Sequence, residues 1–250
     1  MTTVVMTHGA FCAGWTFDRF RRPFEDLGWT VLTPDLPGHE PGGAVAGRSM
    51  REYADSLVEL CANLPERPIL VGHSMGGLAC QMAARRIDPL GMVLLAPSPP
   101  WGVTGSSIEE AVTALGASLV DPFWFGAVDP DLLVMRRHSL YRLSRREQDE
   151  ICDRMGPESG RAVREVLTWW LDPFMTTSVG PGPLPTPTLV IAGGTDQVHP
   201  PRTVRQTAQR IGGAFRMMPG MSHWLIGEPG WERVAQNAID WLQGADRAAA

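Results

Sequence analysis

The chain has 250 residues, of which 44% are hydrophobic and 20% are charged, which excludes a disordered or fibrous protein. The formal charge is −5, and no basic patch or nucleic-acid motif occurs, so we expect no nucleic-acid partner. All 22 basic residues are arginine, so a mechanism that needs a catalytic lysine is excluded, and a GC-rich bacterial genome is expected.

The cysteines and the N-terminus bear on cellular location. The spacing of Cys12, Cys61, Cys80 and Cys152 matches no CxxC or zinc pattern, so we expect reduced, mostly buried thiols and no bound metal. The N-terminus has no basic region followed by a long apolar run, so we expect no signal peptide. No segment is long enough to span a membrane. We therefore expect a cytoplasmic protein with no membrane partner.

Six short apolar segments predict β-strands. In chain order they are Val4–Met6, Trp29–Thr33, Pro68–Gly72, Met92–Ala96, Thr188–Ala192 and Ala214–Met218. Most of them close on glycine or proline. Runs this short and continuously apolar are typical of parallel strands that are covered on both faces.

Helical segments separate most of these strands. They are Met50–Leu64, with Ser49 as its candidate N-cap, Met75–Arg86, Arg202–Ile211 and Trp231–Leu242. This alternation predicts an α/β fold with a doubly wound, mostly parallel sheet and right-handed crossovers.

The alternation stops between residues 101 and 182, where we predict no strand. Helical stretches are expected near Ser107–Leu119, Pro130–Leu140, Ser144–Met155 and Pro157–Trp170. Because a large aromatic surface needs something to cover, we predict that residues 101–182 form an inserted helical cap over the C-terminal edge of the sheet. Residues 1–100 and 183–250 would form the core. The aromatic residues could also pack among themselves as a small helical core, and both arrangements can hold.

A G-x-S-x-G motif, Gly72-His73-Ser74-Met75-Gly76, joins the third strand to the following helix. A sharp strand-to-helix turn strains the backbone of the central residue, and flanking glycines relieve the steric conflict. The turn raises the hydroxyl above the sheet edge and directs the helix N-terminus towards it. We therefore predict Ser74 as a nucleophile, the alternative being an incidental serine in a tight turn.

A serine hydroxyl needs a general base and a third group that orients this base. Asp196 follows the fifth strand and His223 follows the sixth. Both therefore lie on loops at the carboxyl ends of strands, where doubly wound sheets build their sites. We predict Ser74, Asp196 and His223 as the catalytic residues. Asp196 could instead only cap the turn that follows it.

The other histidines are assigned structural or surface roles. We expect packing or local hydrogen-bonding roles for His8, His39 and His73. We expect surface or loop positions for His138, in the predicted cap, and for His199, which lies beside the acid rather than across from the serine.

The transition state also needs backbone N–H donors for its oxyanion. We assign one to Met75, at the start of the helix after Ser74, and the other to Ala10, in the loop after the first strand. Phe11 is the alternative donor, and an ordinary glycine turn is the other interpretation of this loop. The predicted substrate-binding residues are Phe11, Trp101, Trp124 and Trp224.

Five segments resemble the α/β-hydrolase superfamily in order and spacing. They are MTHGAFCAGWTF, DLPGHEPG, VGHSMGGL, GGTDQVHP and PGMSHW. The HGAxxxGW opening is similar to the methylesterase and hydroxynitrile-lyase branch. The resemblance covers nearly the whole chain except residues 101–182. It implies an α/β-hydrolase fold and an ester hydrolase with a triad, an oxyanion hole, and no cofactor or metal.

Two departures and one shared motif narrow these expectations. Cyanohydrin lyases of that branch place a lysine beside the catalytic histidine, where this chain has Trp224, so lyase activity of that kind is not expected. Dehalogenases and epoxide hydrolases of this fold use an aspartate nucleophile, whereas this chain has Ser74. The GHSMG motif is shared with thioesterases that edit natural-product assembly lines, so a thioester substrate stays open.

The first hypothesis is a serine hydrolase that cleaves an ester, lactone or thioester of an apolar small molecule through an acyl-enzyme on Ser74. We expect a monomer or a homodimer. The second hypothesis is a tailoring enzyme, such as a cyclase, acyltransferase or lyase, that uses the same pocket. The third is a non-catalytic binding module on the same fold.

Overall fold

The computed structural model describes residues 2–104 and 126–249. The strands in this part of the chain are β1 Thr3–Thr7, β2 Thr30–Leu32, β3 Ile69–His73, β4 Gly91–Leu95, β5 Ala127–Val128, β6 Glu158–Ser159, β7 Thr188–Gly193 and β8 Ala214–Met218. The α-helices are α1 Arg22–Glu25, α2 Met50–Ala62, α3 Ser74–Ile87, α4 Leu132–Val134, α5 Arg145–Cys152, α6 Gly160–Leu167, α7 Pro201–Ile211 and α8 Trp231–Ala249. Further helical turns cover Gly14–Phe17, Met135–Ser139 and Trp169–Leu171.

Six strands form one sheet in the order β2-β1-β3-β4-β7-β8. Every neighbouring pair in this sheet is parallel, so the carboxyl ends of all six strands meet at one edge. The chain runs outward from β1 to β2 and then resumes at β3 on the other side of β1. Doubly wound sheets bind ligands at such a switch point. The predicted doubly wound, mostly parallel sheet is confirmed.

Helices cover both faces of the sheet. Successive side chains of a strand point to opposite sides, so an apolar strand needs a core on each face. On one face, Val4 and Met6 of β1 belong to a core that includes aromatic residues of segment 17–24 and side chains of α8. On the other face, Val5 belongs to a core built from α2, α3 and α7. Burial on both faces explains the continuously apolar strand sequences.

Helix bounds agree with the predictions to within a few residues at most ends. The predicted N-cap residue of α2, Ser49, is confirmed. Its Oγ accepts the Glu52 N–H at 3.2 Å, and the Glu52 carboxylate accepts the Ser49 N–H at 2.9 Å. The last helix differs more, because α8 continues to Ala249 instead of ending near Leu242.

The inserted segment, residues 101–182, joins β4 to β7. The prediction that it contains no strand is wrong, because β5 and β6 pair antiparallel over two residues each. A ladder this short depends on contact between distant parts of the segment, and local apolar pattern does not reveal it. The predicted helix at Ser144–Met155 corresponds to α5, and the predicted helix at Pro157–Trp170 to α6 after β6. The one at Ser107–Leu119 lies outside the described residues.

Hydrogen bonds tie the inserted segment to the rest of the chain. Glu165 of α6 accepts the N–H of Met50, the first residue of α2, at 2.8 Å. The Tyr141 hydroxyl donates to the Thr195 carbonyl at 2.8 Å, in the loop after β7. Arg85 of α3 donates to carbonyls within residues 179–183. The division of the inserted segment from the core as a separate cap domain stays a prediction.

All four cysteines are free and buried, as expected. In the described part of the chain, no helix combines the length and the apolar character that crossing a bilayer requires. Over the same residues, no group of three or more His, Cys, Asp or Glu side chains is arranged to hold a metal ion.

Gly76 lies where α3 passes against the loop after β1, and a Cβ there would lie 2.2 Å from the His8 carbonyl oxygen. We predict that Gly76→Ala lowers the free energy of unfolding by about 3 kcal/mol, because backbone would have to move. Gly244→Ala in α8, where a Cβ meets no atom of the described residues within 4 Å, should raise it by up to about 1 kcal/mol. Urea unfolding of both variants measures this difference, and equal effects would contradict the close packing at Gly76.

Candidate active site

Ser74 is the first residue of α3 and follows β3 without a loop. Its φ is 52°, a left-handed conformation that costs a residue with a Cβ about 1–2 kcal/mol. Glycines leave room for this turn: a Cβ on Gly9 would lie 3.0 Å from Ser74 Cβ, and one on Gly72 would lie 2.6 Å from Gly77 Cα. The strained turn that the G-x-S-x-G motif requires is therefore present.

The three side chains predicted as catalytic lie in one row of hydrogen bonds. Ser74 Oγ is 3.1 Å from His223 Nε2, and His223 Nδ1 is 2.9 Å from Asp196 Oδ2. All three residues are buried. Because a carboxylate only accepts, Nδ1 carries the proton, and Nε2 is free to accept the proton of the serine hydroxyl. This geometry suits a nucleophile, a general base and an orienting acid.

Both oxygens of Asp196 are fixed by donors. Oδ2 faces His223, and Oδ1 accepts the N–H groups of Val198 at 2.8 Å and His199 at 2.9 Å. Burial opposes ionisation of this carboxyl, but the charge and hydrogen bond of His223 outweigh it, so the pKa of Asp196 lies below its usual value. The group is therefore ionised and oriented at neutral pH.

Two further groups hold the loop that presents His223. The Nε2 of His73 donates to the His223 carbonyl at 2.9 Å. The fully buried Glu228 accepts the N–H of Ser222 at 2.6 Å and also the Ser222 hydroxyl. The backbone is thus fixed at the imidazole and one residue before it. Sequence analysis missed Glu228, because nothing in its local sequence distinguishes it from a surface glutamate.

Backbone N–H groups near Ser74 differ in whether an acceptor is already present. The Met75 N–H belongs to the first turn of α3, where helix N–H groups have no partner within the helix. The Phe11 N–H faces the Glu158 carboxylate at 3.4 Å. Over the described residues, the Ala10 N–H meets no acceptor. This favours Ala10 over Phe11 as the partner of Met75 in an oxyanion hole.

A second serine–histidine pair lies beside the first. Ser98 Oγ is 3.0 Å from His199 Nε2, and both residues are buried. The ring of His199 meets the ring of His223 edge-on, with centroids 5.3 Å apart. Of the two expected positions for His199, the loop is confirmed and the surface is wrong, because the loop after Asp196 folds inward and its N–H groups donate to the carboxylate. Only the fold brings Ser98, after β4, next to this loop.

His8 ties the loop after β1 to the loop after β2. Its Nε2 accepts the Leu36 N–H at 3.0 Å, and its Nδ1 lies 2.9 Å from the Gly9 carbonyl oxygen. An imidazole that accepts through one nitrogen is neutral. Burial lowers the pKa of His8 to about 4, so the ring stays neutral well below pH 7.

The aromatic residues predicted to bind substrate lie in different surroundings. Phe11 is half-buried, with a left-handed φ of 64°. Trp101 is half-buried, and its ring packs edge-on against Trp169 with centroids 5.4 Å apart. Trp224 is only 4% exposed and belongs to the apolar core. Trp124 lies outside the described residues. Substrate contact by these side chains stays a prediction.

Known proteins were compared with the chain by sequence. The model of the alpha/beta hydrolase family matches residues 4–237. A pyrethroid hydrolase from Sphingobium wenxiniae is 32% identical over 87 residues, which cover 34% of this chain and 31% of the hydrolase. Methylesterase 2 from Arabidopsis thaliana is 28% identical over 134 residues, 49% of each chain. The matched parts therefore span less than half of either relative.

Solved structures resemble the chain over nearly its full length. An esterase from Thermogutta terrifontis has a TM-score of 0.73 and 24% identity, and the match covers 98% of this chain and 91% of the esterase. A methylesterase from Arabidopsis has a TM-score of 0.72 and 15% identity, covering 97% of this chain and 99% of the methylesterase. At these identities the likeness is one of fold.

We predict that His8 makes the free energy of unfolding depend on pH. Its pKa is about 4 in the folded chain and 6.5 in its ordinary state, so between these values the unfolded chain binds one more proton, and stability falls as the pH falls. His8→Gln cannot titrate and should reduce this slope by up to about 1.4 kcal/mol per pH unit. Urea unfolding at about pH 5 and about pH 6 measures the slope. An unchanged slope would contradict a neutral, buried His8.

Proposed function

The chain belongs to the alpha/beta hydrolase family, whose model matches residues 4–237, and from this premise we propose that it is a serine hydrolase of carboxylic esters. In this proposal Ser74 is the nucleophile, His223 is the general base and Asp196 is the orienting acid. The observation that carries it is the row of hydrogen bonds, at 3.1 Å and 2.9 Å, behind a serine with a left-handed backbone. A serine with only a packing role needs neither the strain nor a histidine oriented by a carboxylate.

Acylation begins when His223 Nε2 takes the proton of Ser74 as Oγ bonds to the carbonyl carbon of the ester. Asp196 keeps the other proton on Nδ1, and its negative charge stabilises the imidazolium that forms. The tetrahedral intermediate then loses its alkoxy oxygen, which leaves with the proton from Nε2. The acyl group remains on Ser74.

Deacylation repeats the same steps with water. His223 takes a proton from a water molecule, whose oxygen attacks the acyl carbon, and the proton returns to Ser74 as the acid leaves. In both intermediates the N–H groups of Ala10 and Met75 would donate to the negatively charged oxygen. The steps use only groups of this chain and water.

The substrate class that we propose is an ester, lactone or thioester of an apolar small molecule. Methylesterase 2, with which the chain shares 28% identity over 134 residues, supports ester chemistry. Two aromatic rings of the inserted segment support an apolar substrate, since Trp101 packs edge-on against Trp169 with centroids 5.4 Å apart. In this proposal these rings contact the apolar part of the substrate.

We predict that Ser74→Ala lowers kcat for a p-nitrophenyl ester by at least about 10³-fold while the protein stays folded, because the acyl-enzyme can no longer form. A fluorophosphonate probe should label the wild-type protein and not this variant, and peptide mapping should find the label on Ser74. Circular dichroism checks the fold. Ester hydrolysis by Ser74→Ala at the wild-type rate would contradict the proposal.

Ser98→Ala is the matched control, because Ser98 is also a buried serine within hydrogen-bond distance of a histidine. Ser98 does not have the left-handed φ of Ser74, so we expect this variant to be labelled on Ser74 as the wild type is. A label found on Ser98 would show that the nucleophile has been assigned to the wrong serine–histidine pair.

A further inference from the structure

The inserted segment holds both backbone groups of Phe11. The Phe11 N–H lies 3.4 Å from Oε2 of Glu158, and the Gly156 N–H donates to the Phe11 carbonyl at 3.0 Å. The φ of Phe11 is 64°, a left-handed conformation that a residue with a Cβ keeps only where its surroundings enforce it. Residues 156–158 therefore fix the backbone of the loop after β1 at this point.

Further donors fix Glu158 itself. Its side chain is 0% exposed, and Oε1 accepts the Tyr53 hydroxyl at 2.7 Å and the Ser159 N–H at 2.7 Å. Oε2 accepts from His39 Nε2 at 3.0 Å. Together with the Phe11 N–H, donors lie on both oxygens, so the carboxylate cannot turn without losing a hydrogen bond.

His39 supplies the opposite charge. Its Nε2 faces the carboxylate of Glu158, and its Nδ1 lies 3.2 Å from the Leu36 carbonyl oxygen. Neither partner can donate, so both ring nitrogens carry protons and the ring is an imidazolium. Burial alone would lower the pKa of His39. The hydrogen bond and the charge of Glu158 outweigh this effect, so the pKa of His39 lies above its ordinary value. A buried ion pair is weak evidence for stability. We therefore ask what this pair orients, and the Phe11 N–H is the backbone group that Oε2 of Glu158 faces.

Ala10 lies between two fixed points of the loop after β1. Before it, Gly9 packs so closely on Ser74 that an added Cβ would lie 3.0 Å from Ser74 Cβ. After it, the inserted segment holds both the N–H and the carbonyl of Phe11. Because peptide units are rigid planes, these contacts leave the Ala10 N–H little freedom of direction.

From this geometry we propose that Glu158 is a positioning residue for the oxyanion hole. It acts through Phe11 to direct the N–H of Ala10 at the oxyanion that forms when Ser74 attacks, and so it rests on the hydrolytic function proposed above. An oxyanion donor acts on the transition state more than on the bound ester. Loosening the loop therefore lowers kcat and leaves KM nearly unchanged.

The test is steady-state hydrolysis of a p-nitrophenyl ester by the full-length Glu158→Gln variant. The amide keeps the size of the side chain but removes the charge that pairs with His39. Outright loss of an oxyanion donor lowers kcat by about 10²–10³-fold. We expect kcat to fall by about tenfold or more and KM to change by less than about twofold. A wild-type kcat, or a loss confined to KM, overturns the proposal.

Glu165→Gln is the matched control. Glu165 is also a buried carboxylate of the inserted segment that accepts a backbone N–H, but it holds Met50 at the start of α2 rather than the loop after β1. Both variants should lose stability in urea unfolding, and kcat of Glu165→Gln should stay at the wild-type value. An equal fall of kcat in both variants shows general loosening and rejects the positioning role.

A thionoester gives a second readout that loss of stability does not change. Sulfur is a weak acceptor, so a thionoester gains little from the oxyanion donors, and Glu158→Gln should slow it less than the matching ester. If Glu158→Gln does not fold, His39→Leu replaces it with the same two substrates, because leucine has no donor for Oε2 of Glu158. The same pattern is expected there, and a wild-type ratio of the two rates overturns the proposal.

Labelling with a fluorophosphonate probe separates the two possible failures. Absence of label on Ser74 of the wild-type protein rejects the proposed function and, with it, the positioning role. Labelling of Ser74 in both the wild type and Glu158→Gln, together with an unchanged kcat, rejects only the role of Glu158.

Discussion

The left-handed turn at Ser74 is the constraint on which the rest of the site depends. It forces β3, α3 and the loop after β1 into contact so close that Gly9, Gly72 and Gly76 cannot carry a Cβ without meeting neighbouring atoms. The same contact packs Gly9, which precedes the proposed oxyanion donor Ala10, against Ser74. A strained residue persists only where its surroundings over-determine it, and here the parallel sheet supplies those surroundings.

Buried carboxylates hold the surrounding loops in place. Asp196 orients His223, Glu228 holds the residue before it, and Glu158 holds Phe11 next to the proposed oxyanion donor. Each carboxylate accepts at least one backbone N–H, so each fixes the main chain rather than only a side chain. Buried carboxylates are costly unless they are fully hydrogen-bonded. Their concentration around one sheet edge accordingly indicates orientation rather than stability as their main effect.

The errors of sequence analysis share a physical origin. His199 lies in a loop, but it is buried rather than at the surface, because the Asp196 carboxylate accepts the backbone N–H groups of Val198 and His199. The strands β5 and β6 are two residues long and lie about thirty residues apart, so no apolar period marks them.

The sequence by itself determined the parallel sheet and the strand-to-helix turn at Ser74, because apolar runs and glycine spacing are local signals. It also indicated Asp196 and His223 as the partners of Ser74, because each follows a predicted strand. Only the tertiary structure decided which distant groups meet. The Ser98–His199 pair and the ion pair between His39 and Glu158, 119 residues apart, depend on how the inserted segment and the loops fold back over the sheet edge. The physical reason is that these two contacts depend on three-dimensional proximity, and no motif in the sequence marks their residues.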